Sequence, residues 1–204
     1  MSKAWLATFF AVFAWSGIYP KDYYTWILEV APAVIALGVL AVTRKRFPLT
    51  PLSYILILVH SIILMVGGHY TYAEVPLFDW LSETFELGRN NYDKLGHFAQ
   101  GFVPAIVARE VLIRNRVIEG PRWLFFVTVC VALAISAFYE LIEWWVALLS
   151  REAAESFLGT QGYVWDTQSD MALALLGAVL SLSLLGWLHD RQIKRTTDKP
   201  WFPR

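Results

Sequence analysis

The 204-residue chain is 57% hydrophobic and 17% charged, with a mean hydropathy of +0.47. A soluble domain of this size would have far too much apolar surface to hide, so the solvent must be lipid. Seventeen basic and seventeen acidic residues cancel, which excludes the global basic field that collects nucleic acid and leaves charge to act through its placement.

In chain order, Lys3 precedes an apolar stretch from Ala4 to Ile18 that has the look of a secretory signal. No small-x-small cleavage site comes before Tyr19-Pro20-Lys21-Asp22, so it reads as a retained first helix. Apolar runs then recur, giving six in all at 4–19, 24–43, 51–70, 94–113, 121–149 and 167–189. Each is long enough, or nearly so, to cross a hydrocarbon core of about 30 Å, which takes about 20 residues. Breakers such as Phe47-Pro48 with Pro51, Glu119-Gly120-Pro121 and Gly159-Thr160-Gln161-Gly162 separate them. Within the 71–93 loop, Phe78, Leu81 and Phe85 fall at helical spacing among Asp79, Glu83 and Glu86, with Gly88 placed as a C-cap. This predicts a short interfacial helix on the outer surface or, equally, a connecting helix with one greasy side. The single cysteine, Cys130, lies inside an apolar run, excludes an intrachain disulfide or a cysteine metal cage, and reads as packing. Tryptophans and tyrosines gather near the ends of the runs, as interfacial belts do.

The expected fold is therefore all-α, a polytopic membrane helix bundle of about six transmembrane helices. Arg44-Lys45-Arg46, then Arg109, Arg114, Arg116 and Arg122, then Arg191, Lys194, Arg195 and Lys199 fall at alternate ends of the runs. The positive-inside rule assigns these ends, and both termini, to the cytoplasm, so that the 71–93 and 150–166 loops face the periplasm.

Ionisable groups in membrane helices cost roughly 2.5–3.5 kcal/mol each at the centre, so each asks for a partner or a function. Here they come in groups on four runs: Gly67-Gly68-His69-Tyr70 ends the third, Asp93 to His97 opens the fourth, the fifth carries Glu140 and Glu143, and Asp166 to Asp170 opens the sixth. The i,i+4 and i,i+3 spacings put each pair on one helix face. Glu140 lies seventeen residues beyond Trp123, and His69 seventeen beyond Leu52; both reach about 25 Å along their helices. Two imidazoles and several carboxylates at one depth form the ligand set of a divalent metal ion such as zinc, iron or manganese. The predicted ligands are His69, Asp93, His97, Glu140 and Asp170, with Glu143 and Asp166 as base or supporting carboxylates. The bland alternative makes Asp93 and Asp166 helix N-caps. Mid-helix His60 reads as bonded to a nearby backbone or hydroxyl group, Arg109 and Glu110 as snorkelling to the cytoplasmic interface, and His189 and Asp190 as the exit of the last helix. No phosphate loop or nucleophile elbow appears.

Three segments carry a resemblance: Asn91-Tyr92-Asp93-Lys94-Leu95-Gly96-His97-Phe98, Tyr139-Glu140-Leu141-Ile142-Glu143-Trp144 and Trp165-Asp166-Thr167-Gln168-Ser169-Asp170-Met171. With them the chain resembles the YjdF-type inner-membrane proteins over nearly its whole length. More distantly it is similar to VanZ-like membrane proteins, whose Asp-Lys-x-x-His-Phe pattern matches Asp93-Lys94 and His97-Phe98. Glu140 matches the family's Glu-x-x-Gln, with Glu143 in place of the glutamine, and Asp170 opens its Asp-x-x-x-Asn-x-x-Gly, with Ala174 in place of the asparagine although Gly177 keeps its position. The resemblance implies one domain over 1–204: two N-terminal helices in 1–50, a VanZ-like four-helix core in 51–190 and a cytoplasmic tail in 191–204. It also implies a role in the cell envelope. The expected partners are the lipid bilayer and a lipid or lipid-linked envelope substrate, on which a metal-dependent hydrolase or transferase would act. The rival from another class is an ion- or proton-coupled transporter; a third is a scaffold whose cluster only locks the helices together.

Overall fold

The computed structural model describes residues 1–149 and 163–197. Among them are seven helices and no strand: α1 (Lys3–Ser16), α2 (Tyr23–Thr43), α3 (Pro51–Tyr70), α4 (Pro76–Thr84), α5 (Tyr92–Arg114), α6 (Pro121–Leu149) and α7 (Asp166–Thr197). The Gly159–Gly162 breaker and most of the expected 150–166 loop lie outside the described residues, as does the chain beyond 197.

Capping chemistry sets several of the helix starts. Ser2, Asp22 and Thr50 each accept a backbone N–H three residues on, which satisfies one of the donors a helix start leaves open. Pro51 follows Thr50 in the first helical turn, where a missing N–H costs nothing. Thr25 donates to Asp22 at 2.6 Å, and this bond holds the Asp22 carboxyl below its usual range. Thr71 and Tyr72, both at positive φ, then reverse the chain after α3. The turn tucks the Tyr72 ring against Gly67 and Gly96, where added Cβ atoms would lie 2.1 and 2.9 Å from it.

Four helices, α2, α3, α6 and α7, are long and apolar enough to cross a membrane. That is fewer than the six runs read from the sequence. The 14 residues of α1 cover about 21 Å, and α5 has the length but carries Asp93, Lys94, Arg109, Glu110 and Arg114. α5 is nevertheless the central helix, packed against α3, α6 and α7, so its charges face protein. Its contact with α7 is the most extensive in the bundle and runs backbone to backbone. A Cβ on Gly101 would fall 1.8 Å from the Ala174 carbonyl oxygen, and one on Gly177 would fall 2.2 Å from that of Phe98. Small residues let membrane helices approach this closely. The crossing fixes the register that sets Asp93 and His97 beside Asp166 and Asp170.

Other expectations are corrected in detail. The short helix in the 71–93 loop stops at Thr84, and Gly88, at φ +76°, belongs to the turn beyond it. Phe78 packs inward on Tyr92 at 5.0 Å, Asn90 ties the loop to Asp79 and the Val75 carbonyl, and Leu77, Trp80 and Phe85 stay exposed. The last helix runs on through the start of the expected tail, because Ile193 is buried and Gln192 accepts the Leu52 N–H at 2.8 Å. Cys130 is exposed on the outside of α6 rather than packed inside.

Candidate metal centre

His97, on the second turn of α5, stands at the middle of a ring of carboxylates. Its Nε2 lies 3.2 Å from Asp93 Oδ1, one turn back on the same helix, and 3.9 Å from Asp170 Oδ2 on α7. Its Nδ1 lies 3.3 Å from Gln100 Oε1 and 3.6 Å from Glu140 Oε1 on α6. Two sets of donor atoms thus share this imidazole: Asp93, His97 and Asp170 form one, and His97, Glu140 and Glu143 the other, each with all its atoms within 4.8 Å of one another. Two ligands of one ion at tetrahedral geometry stand about 3.4 Å apart, so the first set is close to the size of a mononuclear site.

Of the expected ligands the structure brings together Asp93, His97, Glu140 and Asp170, with Glu143 beside them. It does not bring His69 to them. The His69 ring turns toward α1, with Nδ1 3.0 Å from the Ser16 carbonyl oxygen and its face 4.7 Å from Trp15. It belongs to neither donor set among the described residues, because that position on α3 looks away from α5. Asp166 is close by but engaged: Arg89 Nη1 holds it at 2.8 Å, and the same guanidinium reaches Asp93 at 3.4 Å. Neither aspartate is an N-cap, since Asp93 lies inside the first turn of α5 and Asp166 opens α7.

Three contributors escaped the sequence reading. Glu29 of α2 is buried and accepts the Tyr139 hydroxyl at 3.2 Å. Its signal was present, a lone acid within the apolar 24–43 run. Gln100, one turn beyond His97, offered no such signal. Arg89, in the loop before α5, carries no local pattern that ties it to Asp93 and Asp166. Together the residues enclose a small cavity of about 20 Å³, lined by Glu29, His60, Asp93, His97, Tyr139 and Glu143 among others. That is room for about one water or ion. Among the described residues, Oδ1 of Asp170 (2% exposed) and Oε1 of Glu140 (8%) have no hydrogen-bond partner, whereas Asp166 Oδ1 has the Arg89 ion pair. Buried polar atoms are ordinarily paired, so an orphan calls for a reason.

A second polar cluster lies at the opposite end of the bundle, where the basic residues gather. Glu110, expected to snorkel, is fully buried. It accepts from Thr50 N–H, Thr50 Oγ1, Ser53 Oγ and Arg114 Nη1, at 2.9, 2.9, 2.6 and 2.8 Å. His189 Nε2, also buried, stands 3.3 Å from it. That contact assigns the ring proton to Nε2, leaving Nδ1 to accept from Arg109 at 3.3 Å. Arg109 in turn pairs with Asp190 at 2.6 Å.

A family model described as "Predicted membrane protein (DUF2238)" matches residues 1–191. The chain belongs to this family. It is 54% identical over 184 residues to the inner membrane protein YjdF of Escherichia coli (strain K12), covering 90% of this chain and 88% of that protein. The YjdF-type resemblance is thereby established, and the protein is a multi-pass protein of the bacterial inner membrane. No solved structure matches.

Proposed function

We propose that the protein binds a divalent cation at Asp93, His97 and Asp170, at the periplasmic end of the bundle, and uses it on a lipid or lipid-linked envelope molecule. The observation that carries this is electrostatic. Six carboxylates, those of Glu29, Asp93, Glu140, Glu143, Asp166 and Asp170, gather about the imidazoles of His97 and His60 and the Arg89 guanidinium, and two of their buried oxygens have no hydrogen-bond donor among the described residues. Like charges in low dielectric repel unless protons or a cation stand between them. A set of two carboxylates and one imidazole suits manganese or iron, with zinc as the softer alternative.

The distances support the following roles within the site. With Nε2 of His97 on the cation, Nδ1–H is left to donate to Gln100 or Glu140, the arrangement that orients a ligating histidine. Arg89 steadies Asp93 and Asp166 from the rim. Glu143, clear of the first donor set, is the carboxylate placed to take a proton from an attacking water or hydroxyl. A bound divalent cation supplies Lewis acidity and a lowered water pKa. Toward the basic end the same helices turn to Leu40, Val103 and Val107, which supports a one-sided pocket over an ion pathway. We read α5 and the shorter α1 as crossing too, α5 sheathed by its neighbours, which gives six spans with the basic ends cytoplasmic.

Metal analysis of the detergent-purified full chain, after exposure to manganese, iron and zinc in turn, tests the centre. Close to one equivalent is expected in the wild type and little in a folded Asp170→Asn variant. A folded wild type that takes up none of the three ends the proposal.

A further inference from the structure

A groove of about 620 Å³ runs beside α2 and over α3 and α5, with Ile135 and Tyr139 of α6 forming its far wall at one end, within the range of about 300–1,000 Å³ typical of small-molecule sites. α2 packs on α3, and α6 packs on α5 and α7, so the two walls stand apart over a floor made by α3 and α5. Pro32 of α2 and Pro104 of α5 both line it. Each removes one rung of its helix's hydrogen-bond ladder. From Gln100 to the C-cap Asn115 the floor follows α5 for fifteen helical steps, about 22 Å. One leaflet of a hydrocarbon core about 30 Å thick is shorter than that.

What distinguishes this groove from an ordinary lipid-facing furrow is where it leads. His60, Leu64, Gln100 and Tyr139 line both the groove and the small carboxylate cavity. The two spaces meet at polar side chains, one of which, Gln100, touches His97, and another, Tyr139, donates to Glu29. An apolar slot the length of an acyl chain that opens at one end on excess negative charge is complementary to an amphiphile with a cationic group in its head.

We propose that the groove seats one acyl chain of a phospholipid with an amine-bearing head, and holds that head at His60, Gln100 and Tyr139, the mouth of the carboxylate cavity. The lipid enters sideways from the bilayer between α2 and α6. That this lipid is the substrate rests on the reading of the metal centre; its occupancy of the groove does not.

The test uses the full chain in nanodiscs carrying phosphatidylethanolamine with a photoactivatable diazirine at the acyl terminus or, separately, near the head. After irradiation and peptide mapping, the tail probe is expected on Thr43, Phe47 or Val111, at the far end of the groove, and the head probe on His60, Gln100 or Tyr139. A phosphatidylglycerol probe is expected to label about tenfold less, equivalent to 1.4 kcal/mol. Ala108→Trp should empty the groove of label, and Val39→Trp on the facing wall gives the same reading where the first variant does not fold. Ile35→Trp, on the exposed outer face of α2, should leave the label in place. Asp170→Asn should also keep it, so loss of metal and loss of lipid are read separately. Label spread evenly over the outer faces, equal labelling by the two lipids, or a head probe at the Asn115 end overturns the proposal.

Discussion

The two ends of this bundle each bury a polar cluster around a histidine and glutamate, and they are opposites in how the charge is answered. At the basic end, Glu110 meets three hydroxyl and backbone donors, a guanidinium and an imidazole N–H, and both nitrogens of His189 are engaged. At the other end His97 faces acceptors on both nitrogens, and among the described residues two buried carboxylate oxygens have no hydrogen-bond partner. A fully satisfied buried network fixes how helices pack. An under-satisfied one costs stability, and a protein that keeps it has a use for the imbalance. The same residue types therefore read as structure at one end and as a site at the other.

The largest expected effect breaks the satisfied end. Glu110→Ala leaves Arg114, His189 and Thr50 without their shared acceptor and should cost about 3–5 kcal/mol, the range for removing one partner from a buried ion pair. Thermal unfolding in detergent measures it, and a near-wild-type midpoint would make that network incidental.

Gly101→Leu tests whether the site depends on the close crossing of α5 and α7. A side chain there meets the Ala174 carbonyl, and overpacking of this kind costs about 1–3 kcal/mol. The helices must part, so metal uptake should fall further than stability does. Equal uptake in the folded variant would show that the donors do not need the crossing.

Glu140→Gln carries the comparison itself. Removing a negative charge from a cluster with too many should leave the metal-free protein as stable as the wild type, or raise its melting point by about 2–4 °C per kcal/mol of repulsion relieved, while metal affinity drops. A destabilisation of the size seen at Glu110 would show that the two ends are alike and the cluster is a lock.

The smallest effects lie outside both clusters. His69→Ala should cost about 1 kcal/mol for its bond to the Ser16 carbonyl and leave metal uptake intact. At the α2 cap, the Asp22 carboxyl is held below its usual range by Thr25. A folded-state value below the unfolded one means that its contribution is present above about pH 3.9 and is lost as pH falls through the lower folded value. Asp22→Ala should therefore cost about 1 kcal/mol at neutral pH, and the difference from wild type should shrink in acid.

Much of the architecture was legible because its signals are local. Runs of apolar residues and the breakers between them need no tertiary information, and the i,i+4 pair of Asp93 and His97 follows from helical pitch alone. Depth counting set His69 level with the ring, but α3 meets the cavity at His60 and Leu64, and counting could not say which way a ring points, since rotation about a helix axis is set by packing. Glu110 was misjudged for a related reason. From sequence a charged pair at a helix end looks like snorkelling, and only the arrival of Thr50, Ser53 and His189 from two other helices makes burial affordable.

By itself, then, the sequence determined that the chain lives in lipid, that it is helical, and which residues are too costly there to be idle, because hydropathy and helical period are properties of short segments. Tertiary structure alone decided which of those residues meet. The glycine-mediated contact of α5 with α7 sets the register that gathers carboxylates about His97. The separation of α2 from α6 leaves an apolar groove leading to them. Both depend on how helices distant in the chain turn and approach, and no local pattern encodes that.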